Sequence, residues 1–130
     1  MSDLIGSMAA SASGMTAQST RLRLSAENIA NADTPGFRKK FVTFKALDPT
    51  EAEGAAVTTG PVRLSQKELP MVHDPSHPLA NEDGDYEGSN VQLMVEIADS
   101  REAQRSYEAN LRLLDQARQM TAGLLDLLRR

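Results

Sequence analysis

The sequence predicts a mainly α protein with a small β insert, an α+β fold built on two long terminal helices. Three observations carry this. Apolar residues recur at alternating spacings of three and four over residues 3–30, and again over 91–128, which is the period of one helix face. All six prolines fall between Pro35 and Pro78, where no helix can run unbroken. In that middle region the runs FVTF at 41–44 and VTT at 57–59 have the β-branched and aromatic make-up of short strands. The chain therefore divides into a helix and turn at 1–36, a β- and loop-rich insert at 37–88, and a second helix at 89–130.

In the first helix the seam is Ile5, Met8, Ala12, Met15, Ser19, Leu22, Ala26 and Ile29, with one polar break at Ser19. The other positions are mostly small: residues 1–36 hold seven Ala, six Ser and three Thr. Small residues let helix axes approach closely but bury little area each. A helix over 3–30 is about 40 Å long. It ends near Asn31, because Thr34 precedes Pro35 and is pushed out of helical geometry. Pro35 and Gly36 suit the centre of a type II turn, Pro fixing φ and Gly accepting a positive φ.

The insert reads as a strand within 37–47, a second within 57–64 interrupted at Gly60 and Pro61, and a short third starting at Met71 and Val72. Residues 48–56 read as a mobile loop. The second helix opens on a capping box, Ser89 accepting from the third helical amide and Gln92 reaching back. Its seam runs Leu93, Ile97, Ser100, Gln104, Tyr107, Leu111, Leu114, Arg118, Thr121, Leu125 and Leu128. At ~57 Å it outreaches the first helix.

Two such seams predict that the helices pair as an antiparallel coiled coil. The expected packing residues are Ile5, Met8, Met15, Leu22 and Ile29 on one helix, and Leu93, Ile97, Tyr107, Leu111, Leu114, Leu125 and Leu128 on the other. Polar breaks at Ser19, Ser100, Gln104 and Arg118 suit contacts with several neighbours, where polar positions fix register. Periodicity alone equally allows a hairpin that simply dimerises.

Only five aromatics are present, Phe37, Phe41, Phe44, Tyr86 and Tyr107, and none lies in residues 1–36. Aromatics supply the largest areas to compact cores. The arms are therefore expected to be largely disordered in a free monomer and to order on assembly. With no cysteine, disulfides, cysteine-type zinc sites and thiol catalysis are excluded. No run of about 18 apolar residues exists, so no helix spans a bilayer. Residues 1–17 lack the basic start and apolar stretch of a secretory signal. The net charge of −4 conceals +4 over 37–47 and −7 over 48–90. The basic cluster is short and followed by an acidic stretch, which argues against nucleic-acid binding. It suits a strand edge protected against unwanted pairing.

Candidate chemistry is thin. His73 and His77 flank Asp74, but Pro75 and Pro78 prevent the helix that would put both rings on one face. They are read as a solvent-facing loop, not a metal site. Residues 81–85 look like half a calcium loop, yet with Gly84 at the sixth position Leu79 stands at the first and Asn90 at the twelfth, where acids are required. A tight acidic turn is the better reading. No nucleophile elbow, phosphate loop or zinc-protease motif occurs, so the sequence points to no enzyme and no cofactor.

The stretch NIANADTPGF at 28–37 resembles the N-terminal signature of the bacterial flagellar rod and hook proteins, carried here by Asn28, Asn31, Thr34, Pro35, Gly36 and Phe37. The stretches SNV at 89–91 and RSYEAN at 105–110 resemble the family's C-terminal helix signature. The central DPSHPLANEDG at 74–84, with the short length, is similar to the proximal-rod members. The resemblance runs along essentially the whole chain. It implies a structural subunit that polymerises into the hollow helical rod crossing the periplasm and transmitting torque. The terminal helices then form the inner, axial domain and the insert lies outside. It also implies export through the flagellar type III apparatus without a cleaved signal. Implied partners are copies of itself, other rod proteins and the membrane-ring or rod adaptor proteins at the base, with no nucleic acid and no direct membrane insertion. The charge balance over 91–130 then suggests inter-subunit polar contacts by Arg105, Asn110, Arg112 and Arg118. A cytoplasmic helical-hairpin adaptor or export chaperone is the second reading.

Overall fold

The computed structural model describes residues 2–48, 50 and 56–130. Helix α1 spans Ser2–Ala30 and helix α2 spans Leu93–Leu128. Between them lie six short strands: β1 (Lys40–Phe41), β2 (Phe44–Ala46), β3 (Val57–Thr59), β4 (Arg63–Leu64), β5 (Met71–His73) and β6 (Asp85–Glu87). Two helices around a small antiparallel β region give the expected α+β class. Most of the loop read over 48–56 lies outside the described residues.

The turn after α1 forms as its sequence requires. The Phe37 amide donates to the Thr34 carbonyl at 3.2 Å, and Gly36 sits at φ +73°, a conformation that a Cβ disfavours. The Gly36 amide in turn donates to the Glu87 and Gly88 carbonyls, at 3.1 and 3.2 Å. The exit from α1 is thus pinned to the end of β6.

The strand expected within 37–47 is two strands, because its halves meet different partners. β1 pairs antiparallel with β4 (Lys40 opposite Leu64) and β2 with β3 (Phe44 opposite Thr59). The register shifts by one residue between the two pairs. Val42 and Thr43 therefore face three residues, Gly60, Pro61 and Val62, and the Gly60 amide donates to the Thr43 carbonyl at 2.8 Å. This is a bulged ribbon, with the extra residue where Gly and Pro tolerate a broken ladder. β5 pairs with β6, His73 opposite Asp85. Composition does not predict strand β6, because Asp85 and Glu87 are disfavoured in strands and Tyr86 alone favours one. The preceding turn sets it up: the Asn81 side chain accepts from the Asp83 and Asp85 amides at 3.0 Å each, and Gly84 takes φ +81°.

The capping box does not form. Ser89 Oγ accepts from the Val91 amide at 3.1 Å, and Gln92 is the N-cap residue without a side-chain cap bond. The reason lies in the bonds that the insert makes to Asn90. Asn90 is held extended by Phe37, Lys39, Ser65 and Lys67, so the helix starts only at Leu93.

Helix α1 lies between α2 and the ribbon. Towards the ribbon, Ser13 Oγ accepts from the Ala56 and Val57 amides at 3.2 and 3.4 Å. Towards α2, Ser25 reaches Glu96, Arg21 reaches Asp99 and Glu102, and Gly14 faces Asn110. Paired positions descend along α1 as they ascend along α2. A Cβ on Gly14 would come within 2.9 Å of the Asn110 amide, so a larger residue there would have to displace that side chain.

Among the described residues the buried apolar side chains are Ala17, Leu24, Ala103 and Ala117. Three of the four are alanines, and each contributes little transfer energy. This is too small a core to hold 29- and 36-residue helices, half of the chain, against the entropy of ordering them. Circular dichroism of the dilute monomer should accordingly give a helix content well below one half. A value at one half would contradict it. Replacing Gly36 by Val, which is both β-branched and forced to positive φ, should cost about 1–3 kcal/mol in urea titration. Pro35→Ala should cost less, and equal losses would remove the argument from φ.

Candidate functional site

The most heavily engineered place in the chain is the junction of α1, β1 and the first turn of α2. Its centre is Glu96, whose residue is only 1% exposed. A bare carboxylate so deep is strongly disfavoured, and four features offset that. Lys39 Nζ lies 2.7 Å from Oε1, an ion pair by distance, although Oε1 accepts no well-aligned hydrogen bond. Ser25 Oγ and Asn28 Nδ2 each donate to Oε2 at 3.3 Å. Glu96 also lies in the first turn of α2, where the helix dipole favours negative charge.

Asn28 has a second role, which explains an amide side chain at this position. Its Nδ2 donates to the Lys40 carbonyl at 2.8 Å and its Oδ1 accepts from the Lys40 amide at 2.9 Å. The side chain thus imitates a strand and satisfies both backbone groups of Lys40. Neither Asp nor Leu could make both bonds. Asn31 closes the end of α1: its Nδ2 donates to the Glu27 carbonyl at 2.8 Å, and Thr34 Oγ1 donates to its Oδ1 at 3.1 Å. Asn28, Asn31, Thr34, Pro35, Gly36 and Phe37 form one continuous device that ends the helix, turns the chain and fixes the first strand.

Cations complete the junction. Lys40 Nζ lies 3.1 Å from Glu27, with Arg23 on the other carboxylate oxygen at 3.3 Å. The Lys40 bond and charge, then Arg23, hold the Glu27 carboxyl below its ordinary value of 4.5. Its stabilising contribution is therefore present above that value and lost as pH falls through the lowered one. Arg38 donates to the Ser65 and Lys67 carbonyls at 3.0 and 3.1 Å, beside the bonds from Asn90. Glu96, Ser25 and Lys39 were not singled out from sequence. The available signal was an acid in the otherwise apolar run LMVEI at 93–97.

The seams lie elsewhere. On α1 the buried residues are Ser11, Ala17, Leu24, Ser25 and Asn28, whereas Ile5 is exposed and Met8, Met15, Leu22 and Ile29 are half-buried. On α2 the closed positions are Glu96, Ala103 and Ala117. Ile97, Tyr107 and Leu114 are half-buried, and Leu93, Leu111, Leu125 and Leu128 are exposed. A groove of about 420 Å³ joins the two stripes, with Ala12, Met15 and Ser19 on one wall and Tyr107 and Leu114 on the other. Arg105, Arg112 and Arg118 are exposed, and among the described residues none makes an ion pair within the chain. Asn110 is half-buried; it faces Gly14 of its own chain and donates to the Ser106 carbonyl at 3.0 Å.

His73 lies on β5, not in a loop, with Nδ1 2.8 Å from Asp85 Oδ1. His77 stacks on Tyr86 with ring centroids 4.0 Å apart. Hydrogen bonds from Ser76 hold the Asp74 carboxyl below its ordinary value. Among the described residues no group of three or more ligand side chains could hold a metal, and no helix is long and apolar enough to cross a membrane.

Known proteins resemble this sequence. Residues 8–38 match the model for flagella basal body rod protein, and residues 83–127 match that for the C-terminal part of the flagellar basal body rod FlgEFG proteins. Over 124 residues the chain is 40% identical to a flagellar basal-body rod protein FlgC of Agrobacterium fabrum, covering 90% of this chain and 89% of that one. The protein of that name from Escherichia coli O6:H1 is 34% identical over 88% of this chain and 90% of its own length. That of Aquifex aeolicus is 33% identical over 86% and 87%.

Removal of the buried carboxylate should be costly. Glu96→Ala is expected to lower the unfolding free energy by about 3 kcal/mol, while Glu102→Ala, in a pair open to solvent, should cost under about 1 kcal/mol. Urea titrations of both variants make the comparison, and similar losses would deny Glu96 its place at the junction.

Proposed function

The chain belongs to the FlgC family of flagellar basal-body rod proteins, and from that membership we propose how it builds the rod. It is a structural, non-enzymatic subunit of the flagellar basal body, assembling with other rod proteins. In our reading α1 and α2 pair as an antiparallel coiled coil, which the opposed order of their contacts supports. Residues 1–36 and 89–130 make the inner, axial domain and 37–88 the outer insert.

One observation carries the assembly mechanism: the largest apolar residues of the two stripes stay exposed or half-buried, while the closed positions, Leu24 apart, are small or polar. Ile5, Met8, Met15, Leu22, Leu111, Leu125 and Leu128 then pack against neighbouring subunits, and the polymer supplies the core that one chain lacks. The result is a hollow helical drive shaft of the proximal rod, in the periplasm. The free guanidinium groups of Arg105, Arg112 and Arg118 join subunits. A single exposed pair is worth only ~0–1 kcal/mol, so repetition around the rod gives them weight. Subunits travel through the type III export apparatus as unfolded chains, which the small core and the absence of cysteine favour, and meet the ring and rod adaptor proteins at the base.

Purified rod-containing basal bodies should contain this chain as a stoichiometric component, and its absence would overturn the reading. In cells, Ala at Arg105, Arg112 and Arg118 together should reduce swimming more than any single change. Full motility of the triple variant would remove the claim for these arginines.

A further inference from the structure

One cavity plays no part in the packing of the two seams. It has a volume of about 350 Å³ and opens between β1, β4 and the start of α2. Phe41 and Val95 give it an apolar floor, and Lys39, Lys67 and Asn90 a polar wall. The wall is already fixed: Asn90 and Arg38 both donate to the Ser65 and Lys67 carbonyls, and the Ser65 amide donates to the Lys39 carbonyl at 2.8 Å. A preformed cavity loses little entropy when it is filled.

Its electrostatics are one-sided. The charged groups that line it or bond to its walls are the cations Arg38, Lys39 and Lys67 and the single anion Glu96. Lys39 is matched by Glu96. Among the described residues Lys67 has no ion-pair partner, and it is exposed. The cavity thus suits a carboxylate borne on a rigid, convex segment.

The same chain presents such a segment. Glu82 and Asp83 are exposed at the turn before β6, and the Asn81 side chain holds the Asp83 and Asp85 amides so that the turn is rigid. The β5–β6 pair separates this turn from Lys67 and Asn90, which stand at the opposite end of that pair. One chain's turn is therefore poorly placed to reach its own cavity. We propose that the cavity at Lys39, Lys67 and Asn90 receives the acidic turn at Glu82 and Asp83 of a second copy of this chain. Cavity and turn are different surfaces, so the contact is head-to-tail and propagates from copy to copy. Opposite charge fixes register more than it adds affinity. The proposal rests on the reading that copies stand side by side in the rod, and it adds an outer contact to the inner helical one.

The chain has no cysteine, so an engineered pair reports this contact alone. In basal bodies built from the full chain carrying Lys67→Cys and Asp83→Cys, mild oxidation should yield disulfide-linked oligomers that reducing agent collapses. The dilute chain should yield none. Basal bodies that contain the variant but give no cross-link overturn the contact and leave the rod reading intact; absence of even the unaltered chain from basal bodies overturns that reading instead. Should the cysteine variant not be incorporated, charge reversal decides. Lys67→Glu and Asp83→Lys should each reduce swimming about twofold, and the two together should restore it. Failure of the double reversal to restore swimming overturns the proposal.

Discussion

The fold depends on one buried carboxylate. Glu96 sits where α1, β1 and α2 converge, and an ion of its kind cannot stay in such a place unless its partners are brought to it. Lys39 comes from the insert, and Ser25 and Asn28 from α1. Satisfying the carboxylate therefore fixes the position of three segments at once. Asn28 extends the constraint by gripping both backbone groups of Lys40, and the Gly36 turn locks the exit of α1 to the end of β6. Such a junction adds specificity more than stability, because every bond in it replaces one that water would have made.

Away from the junction little holds the single chain together. The helices meet over Ser, Gly, Asn and Ala, which permits close approach and buries little apolar area. Apart from buried Leu24, many of their larger side chains lie outside this contact, with Ile5, Leu124, Leu125, Leu127 and Leu128 all exposed. A lone globular domain would gain by turning those residues inward. In a rod subunit the arrangement is coherent: a specific polar joint sets the geometry of each copy, and in the proposed assembly neighbouring copies complete the apolar packing. It also accords with the proposed export of the chain, since a weak intramolecular core resists unfolding little.

Much of this was legible in the residues. Pro35, Gly36 and the alternating 3–4 spacing placed α1, the turn and the body of α2 close to where they lie, and Gly60 with Pro61 marked the break in the ribbon. The covered face of each helix was not legible. Hydrophobic periodicity finds the stripe of largest residues, whereas the buried positions are mostly small ones, Ser11, Ala17 and Ser25 on α1 and Ala103 and Ala117 on α2. The start of α2 was misread because Ser89 and Gln92 fit a local capping rule, while Asn90 is captured by distant Ser65 and Lys67 carbonyls that no local rule registers. Strand β6 is not legible for a different reason: its pairing comes from the Asn81 and Gly84 turn, and Asp85 and Glu87 argue against a strand. The buried role of Glu96 needed three partners up to 71 residues away.

On this physical picture, order radiates from the Glu96 junction and reaches the arms only in the assembly. Amide hydrogen exchange resolved along the chain tests it most directly. In the dilute protein, protection should centre on the segments that meet Glu96, around residues 21–29, 38–41 and 94–103, and fall away towards both helix ends. In assembled rods it should extend along α1 and α2 entire. Uniform protection of both helices in the dilute chain, or a junction that exchanges as fast as the arms, would contradict the account.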